Sequence, residues 1–200
     1  PELLTTINAL QQDLPNLAAG NMLGSCMFNM FLLGLLDMTH WKHRILRQVA
    51  MRHALTGGLA TMLLASCSFF ILADIKVQVA WIGLDSLVII ALYFFGLWAL
   101  RANSRKVAAA PPEEIPPRTP SLLHAILGFL AATGVLVAAS PWLVRSSAQI
   151  AALTGLGTGF VGAVLVGTVT SLPEVVAVIA AARLGAYDLA VGNLFGSNVF

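Results

Sequence analysis

The sequence predicts an all-α fold: a polytopic bundle of transmembrane helices with two inverted-topology repeats, each containing a proline-broken helix. Three observations predict it. Hydrophobic residues make up 58% of the 200 residues and charged residues only 10%, with a mean hydropathy of +0.85. A soluble domain carries about 25% charged residues, so this chain cannot cover a soluble surface. Apolar runs of spanning length follow one another along nearly the whole chain, and its first 28 residues return, without gaps, as its last 28.

The same numbers exclude other classes. A formal net charge of +2 gives no support to a nucleic-acid partner. Cys26 and Cys67 sit in apolar segments without metal-ligand spacing. The chain opens on Pro1 without a signal or transit peptide pattern and stops within the apolar GSNVF. An internal piece of a longer membrane protein is therefore expected.

A spanning helix needs about 20 mostly apolar residues. Residues 1–10 read as the back half of one span, joined by QQDLPN to a second at Leu14–Leu36. Ala54–Ala73, Val77–Leu100 and Leu122–Val144 follow, then the long run Ala151–Ala182 and a last segment from Leu189 onward. At 32 residues, Ala151–Ala182 is too long for one straight crossing. Either its first residues form a separate short helix or the span is broken in the middle.

Eight of the eleven basic residues fall in two loops: Lys42, Arg44, Arg47 and Arg52, then Arg101, Arg105, Lys106 and Arg118. Two spans separate these loops, so both face one side, and the excess of positive charge makes that side cytoplasmic. Loops 38–53 and 101–120 are thus expected inside, in a plasma or bacterial inner membrane. The basic stretch HWKHRILRQVAMRH, residues 40–53, reads as topology-setting rather than lipid-binding. Trp41, Trp81, Trp98 and Trp142 fall near expected span ends, as an interfacial aromatic belt requires. The Pro- and charge-rich segment SRKVAAAPPEEIPPRTP divides the chain into a first transmembrane half (1–100), a cytoplasmic linker (101–120) and a second half (121–200).

Residues 1–28 and 173–200 match at 11 of 28 positions at a fixed offset of 172. The identities include Pro1/Pro173, Glu2/Glu174, Gly20/Gly192, Asn21/Asn193, Gly24/Gly196 and Ser25/Ser197. Shared hydrophobicity does not explain matched Pro, Glu, Asn and Ser. By the span count the copies run in opposite directions through the membrane, the plan of secondary transporters that bind substrate at the repeat interface.

Within GTVTSLPEVV, residues 167–176, Pro173 lacks an N–H and displaces the carbonyl of Val169. Freed backbone oxygens at membrane depth must be satisfied. A cation does so, and the adjacent carboxylate supplies charge. Ca²⁺ takes about six to eight oxygens of mixed kind. Glu2, Glu174, Thr170, Ser171, Ser25, Ser197 and freed carbonyls supply that inventory, with no His or Cys to suggest zinc or copper. Ser25 and Asn29 lie one turn apart and share a helix face. The paired glycines of GNMLGS and GNLFGS permit close helix contact.

Other polar residues read as structural. Asp85 is expected at the outer interface and His124 near a span end. Gly157, Gly159 and Gly162 match a dinucleotide fingerprint by letter, but follow no strand and serve helix packing. Asn8 is matched by Ala180 and stays outside the site.

TSLPE followed by GN-x-x-GSN, present in two inverted copies, resembles the membrane region of the sodium/calcium exchangers, within the cation/calcium antiporter superfamily. The resemblance covers both repeats, and through the span count and linker most of the chain. It implies a cation site of Glu2, Ser25 and Asn29 from the first repeat and Thr170, Ser171, Glu174 and Ser197 from the second. It also implies a further ligand four residues after Ser197. Four features depart from the pattern. The first copy has no TSL before its Pro1–Glu2, Cys26 stands opposite Asn198, Val169 replaces a glycine, and the linker is too short for a calcium-sensing domain.

The expected activity is exchange of Ca²⁺, or a similar divalent cation, for Na⁺ by alternating access at a midplane carboxylate site. Ca²⁺ and Na⁺ or H⁺ are substrates, the bilayer is the surrounding partner, and no cofactor is called for. A proton-coupled exchanger on the same scaffold is the main alternative, and a cation channel a lesser one. No Ser–His, paired-Asp or HExxH arrangement supports an enzyme.

Overall fold

The computed structural model describes residues 1–39, 45–73, 77–79, 82–104 and 122–199. Helices dominate them: α1 (Glu2–Gln11), α2 (Pro15–Thr39), α3 (Ile45–Ala73), α4 (Leu84–Ser104), α5 (Leu122–Thr154), α6 (Thr158–Val161), α7 (Gly167–Thr170), α8 (Leu172–Arg183) and α9 (Tyr187–Val199). A π-helical turn, Gly162–Val166, joins α6 to α7. Two short strands, β1 (Gln78–Val79) and β2 (Ile82–Gly83), pair antiparallel ahead of α4.

Among the described residues, four helices are long and apolar enough to cross a membrane: Pro15–Thr39, His53–Ala73, Leu84–Ala102 and Leu122–Thr154. The pair Thr158–Thr170 and Leu172–Arg183, bent by 42°, makes a fifth if taken as one broken span. Large apolar side chains such as Leu72, Phe94, Phe95, Phe129 and Leu130 stand exposed on these helices. In water such a surface would aggregate; in lipid it is the expected exterior. The chain is an all-α polytopic membrane protein.

The chain divides into two compact units, Pro1–Leu32 with Pro112–Val176, and Leu33–Pro111 with Ala177–Phe200. In the first, Ala9, Leu17, Ala18, Val144 and Val166 form a buried core, with Leu14 and Leu143 packed on it. In the second, Leu59, Ala60, Leu63 and Val199 are buried, flanked by Ile89, Leu92, Tyr93 and Leu100. There His53 Nε2 meets Asp188 Oδ1 at 3.1 Å, and the His53 ring stacks on Phe195 with centroids 6.4 Å apart.

The internal repeat is structural as well as sequential. α1 ends at Gln11 and α8 at Arg183, and α2 begins at Pro15 and α9 at Tyr187, so both boundaries recur at the offset of 172. Each junction holds a left-handed residue, Asp13 (φ 57°) in the first copy and Gly185 (φ 73°) in the second. Each is closed by the same six-residue bond, Leu14 N–H to Ala9 O and Ala186 N–H to Ala181 O, both at 2.9 Å. This is the helix-ending geometry that satisfies a terminal carbonyl.

Several expected boundaries need correction. The span drawn from Val77 begins at Leu84, because the residues before it turn back, with Gln78 opposite Gly83 and Val79 opposite Ile82. Asp85 lies in the first turn of α4, where a carboxylate is favoured by the helix dipole. The break drawn at Arg145 does not exist, since α5 runs on to Thr154. Its exposed Arg145 stands about 34 Å along the helix from Leu122, past a hydrocarbon core of about 30 Å. Charge there does not require the helix to stop. Gly155 (φ 72°) follows the end of α5 instead. Loop 38–53 is shorter than drawn: α2 continues to Thr39 and α3 starts at Ile45, so Arg47 and Arg52 are on helical backbone. Likewise Arg101 belongs to α4. Residues 105–120 of the expected linker, along with Trp41, Lys42, Arg44 and Trp81, lie outside the described residues.

Candidate functional site

The overlong apolar run resolves into a turn and a break. Residues 151–154 finish α5, and the following span passes through α6, the π turn and α7 before it stops at Ser171 (φ −90°, ψ 5°). α8 then restarts at Leu172. This restart accounts for both odd residues of TSLPE. Pro173 falls in the first turn of α8, where its absent N–H would have had no helical partner anyway. Glu174 falls in the same turn, at the positive end of the helix dipole. Glu2 likewise opens α1, with Pro1 as its cap. The π turn just upstream carries one extra residue per turn, a feature that recurs at functional sites.

Glycine sets how closely α2 approaches this broken span. A Cβ on Gly20 would strike the carbonyl of Gly159, and one on Gly24 would strike the backbone of Ala163. One on Gly162 would lie 2.5 Å from the Leu17 carbonyl oxygen, and one on Gly167 2.8 Å from the Ser25 nitrogen. Gly162 therefore serves close helix packing, as expected, but the expectation does not extend to its neighbours: a Cβ on Gly159 would make only an ordinary contact with Asn16, and one on Gly157 meets nothing within 4 Å among the described residues. The second copy differs: Gly192 faces the His53 ring, with Cε1 3.0 Å from a built Cβ, while Gly196 meets nothing within 4 Å among the described residues.

This close approach brings polar side chains together inside the first unit. Ser171, fully buried, donates from Oγ to Glu2 Oε1 at 3.4 Å. Ser25 Oγ lies 3.2 Å from Thr170 Oγ1 and donates to the Gly167 carbonyl at 3.4 Å. Thr170 in turn donates to Asn21 Oδ1 at 3.0 Å. Asn29, 1% exposed, is buried on the same face of α2 as Ser25. Glu174 is half-buried, with its Oε2 withdrawn from the surface. Ser197 is half-buried on α9 and belongs to the second unit.

Sequence reasoning omitted some of this network. Asn21 donates from Nδ2 to the Glu2 carbonyl at 3.3 Å and to Thr6 Oγ1 at 3.1 Å. Its signal was present, since Asn21 and Asn193 are identical repeat positions. Ser140 on α5 had no such signal, lacking a counterpart in the repeat. It lies 3.1 Å from Asn8 Nδ2 and 3.5 Å from Thr5 Oγ1. Asn8 also donates to the Leu4 carbonyl at 2.9 Å, so it joins α1 to α5.

Together these features define a polytopic helical membrane protein with a buried, oxygen-rich break inside an otherwise apolar bundle. The chain belongs to the sodium/calcium exchanger protein family, which it matches over residues 1–101 and 124–200. It is 29% identical over 201 aligned residues to an uncharacterized membrane protein of Methanocaldococcus jannaschii, covering 100% of this chain and 62% of that protein. It is 36% identical to a candidate antiporter of Alkalimonas amylolytica over 44% of this chain and 27% of that one. A sodium/calcium exchanger of Methanosarcina acetivorans is 35% identical over 37% of this chain and 21% of its own length. The chain thus spans less than two thirds of each relative. No solved structure matches it.

Proposed function

We propose that this chain carries the ion-exchanging part of a cation antiporter, in which Ca²⁺ or a similar divalent cation is exchanged for Na⁺ by alternating access. Glu2 and Glu174 supply negative charge, each from the first turn of a helix. Ser25, Asn29, Thr170 and Ser171 add neutral oxygens. Ser197 is expected to take part from its equivalence with Ser25 at the offset of 172.

The observation that carries this reading is the contact of Ser171 with Glu2, beside that of Ser25 with Thr170. Each contact joins the first copy of the repeat to the Thr170–Ser171 segment that leads directly into the second. A carboxylate held among hydroxyls suits a hard cation, which takes carboxylate, hydroxyl and carbonyl oxygens in mixed sets. No three His, Cys, Asp or Glu side chains cluster among the described residues, so neutral oxygens would make up much of the shell. The charge of the two carboxylates can be balanced by one divalent ion or, in turn, by monovalent ones, while the hydroxyls complete the oxygen shell. The family and the relatives support ion exchange. Na⁺ is proposed as the driving ion, and the cytoplasm as the side faced by the segments that join α2 to α3 and α4 to α5.

Sealed vesicles containing the full-length protein test it. Ca²⁺ uptake should follow an imposed outward Na⁺ gradient and fail under a pH gradient alone. The opposite pattern would assign proton coupling, and uptake without any counter-ion would mean a channel.

A further inference from the structure

Asn21 lies on α2 one helical turn before Ser25, 1% exposed, with its three hydrogen bonds divided between two elements. Its Nδ2 donates to the Glu2 carbonyl at 3.3 Å and to Thr6 at 3.1 Å, both on α1, while its Oδ1 accepts from Thr170 at 3.0 Å. The Glu2 carbonyl can only accept, which fixes the amide with nitrogen toward α1 and oxygen toward Thr170. Facing that oxygen, Thr170 must donate. Its other near acceptors, the Val166 carbonyl at 3.0 Å and the Gly167 carbonyl at 3.3 Å, compete for the same hydrogen. All three leave the lone pairs of Thr170 Oγ1 as acceptors, for the Ser25 hydroxyl or for a cation.

We propose that Asn21 is a positioning residue that sets ion selectivity by clamping the start of α1 at Glu2 to the end of α7 at Thr170. The inference rests on the cation-site reading above and adds what fixes the spacing of its oxygens. An amide is suited to this place because it donates to one element and accepts from the other without carrying charge. A carboxylate cannot donate to the Glu2 carbonyl, and a hydroxyl is too short to span the same gap. With the clamp in place the oxygen set matches one ionic radius. Without it, each helix end relaxes separately and larger ions become acceptable.

The test measures Ca²⁺ uptake by the full-length protein in proteoliposomes, with Ba²⁺ as competitor. The variants are Asn21→Ala, Thr170→Val and their double. Loss of the Asn21–Thr170 hydrogen bond, the one broken in both single variants, should raise the half-saturating Ca²⁺ concentration about fivefold in each. Because both act on one clamp, the double should fall well short of the roughly twenty-five-fold product expected for independent sites. Asn21→Ala should also make Ba²⁺ a better competitor relative to Ca²⁺, which a purely structural role would not do. A multiplicative double variant, or an unchanged Ba²⁺-to-Ca²⁺ ratio, overturns the inference and leaves the site reading standing. An unaffected Thr170→Val contradicts the site reading itself and the inference with it. If Asn21→Ala does not fold, judged by circular dichroism, Asn21→Asp takes its place. It keeps the acceptor for Thr170 but loses both donors to α1, so the Ba²⁺-to-Ca²⁺ ratio should shift in the same direction, and an unchanged ratio again overturns the inference.

Discussion

Ser171 Oγ donates to Oε1 of Glu2 at 3.4 Å, joining residues 169 apart in the sequence. One residue stands in the break of the later repeat, and the other opens the helix of the earlier one. A hydrogen bond to an ionised group contributes about 1.5–3 kcal/mol at good geometry. At this length the contribution falls toward about 1 kcal/mol. Ser171→Ala should therefore raise the half-saturating Ca²⁺ concentration about fivefold while the protein stays monodisperse in detergent. Uptake kinetics of the purified variant check this, and an unchanged half-saturation would remove Ser171 from the site.

The two repeats should respond differently to an added methyl group. Alanine in place of glycine inside a helix gains up to about 1 kcal/mol from backbone entropy. At Gly24 that gain is opposed by the Ala163 backbone, which cannot move aside. Overpacking of this kind costs about 1–3 kcal/mol, so Gly24→Ala should lower the thermal unfolding temperature. At Gly196 a Cβ meets nothing within 4 Å among the described residues, and Gly196→Ala should be tolerated. Thermal denaturation in detergent compares the two directly.

Asp13 and Gly185 occupy the same left-handed position in the two copies. A β-branched residue there should cost about 1–2 kcal/mol. Asp13→Val and Gly185→Val are thus both expected to be destabilising, whereas Asp13→Gly should be neutral or mildly stabilising. Unfolding temperatures of the three variants test whether the junctions are equivalent.

In the second unit, His53 is held by Asp188 at 3.1 Å and by the ring of Phe195, and Gly192 leaves room for it. Single replacements His53→Ala and Asp188→Ala should each destabilise. Their double should cost less than the sum of the singles, by about 0.5–1 kcal/mol, since both remove one interaction. Additive losses in a double-mutant cycle would show that the two side chains do not act together.

The membrane class was legible because lipid imposes a simple rule, long apolar runs with charge confined to loops. The repeat was legible because Pro, Glu, Asn and Ser recur at one offset. It led to Ser25 and Glu2, and the Pro–Glu stretch of GTVTSLPEVV led to Thr170 and Ser171; the fold brings all four into one network. Ser140 was not legible, since only the fold of α5 against α1 brings it to Asn8. Boundaries failed where charge was read as a stop signal. Arg145 is exposed on a continuing helix, and hydropathy cannot separate that from a loop. The residues before Leu84 are apolar too, and only their pairing across β1 and β2 removes them from α4.

The central claim is that Glu174, in the first turn of α8 beyond the break, supplies charge to the transported cation. Its most direct test is Na⁺-gradient-driven ⁴⁵Ca²⁺ uptake in proteoliposomes containing the Glu174→Gln variant, which keeps the shape of the side chain and removes its charge. The account predicts a correctly inserted, folded protein with uptake reduced to background. Undiminished uptake by the folded variant would contradict it.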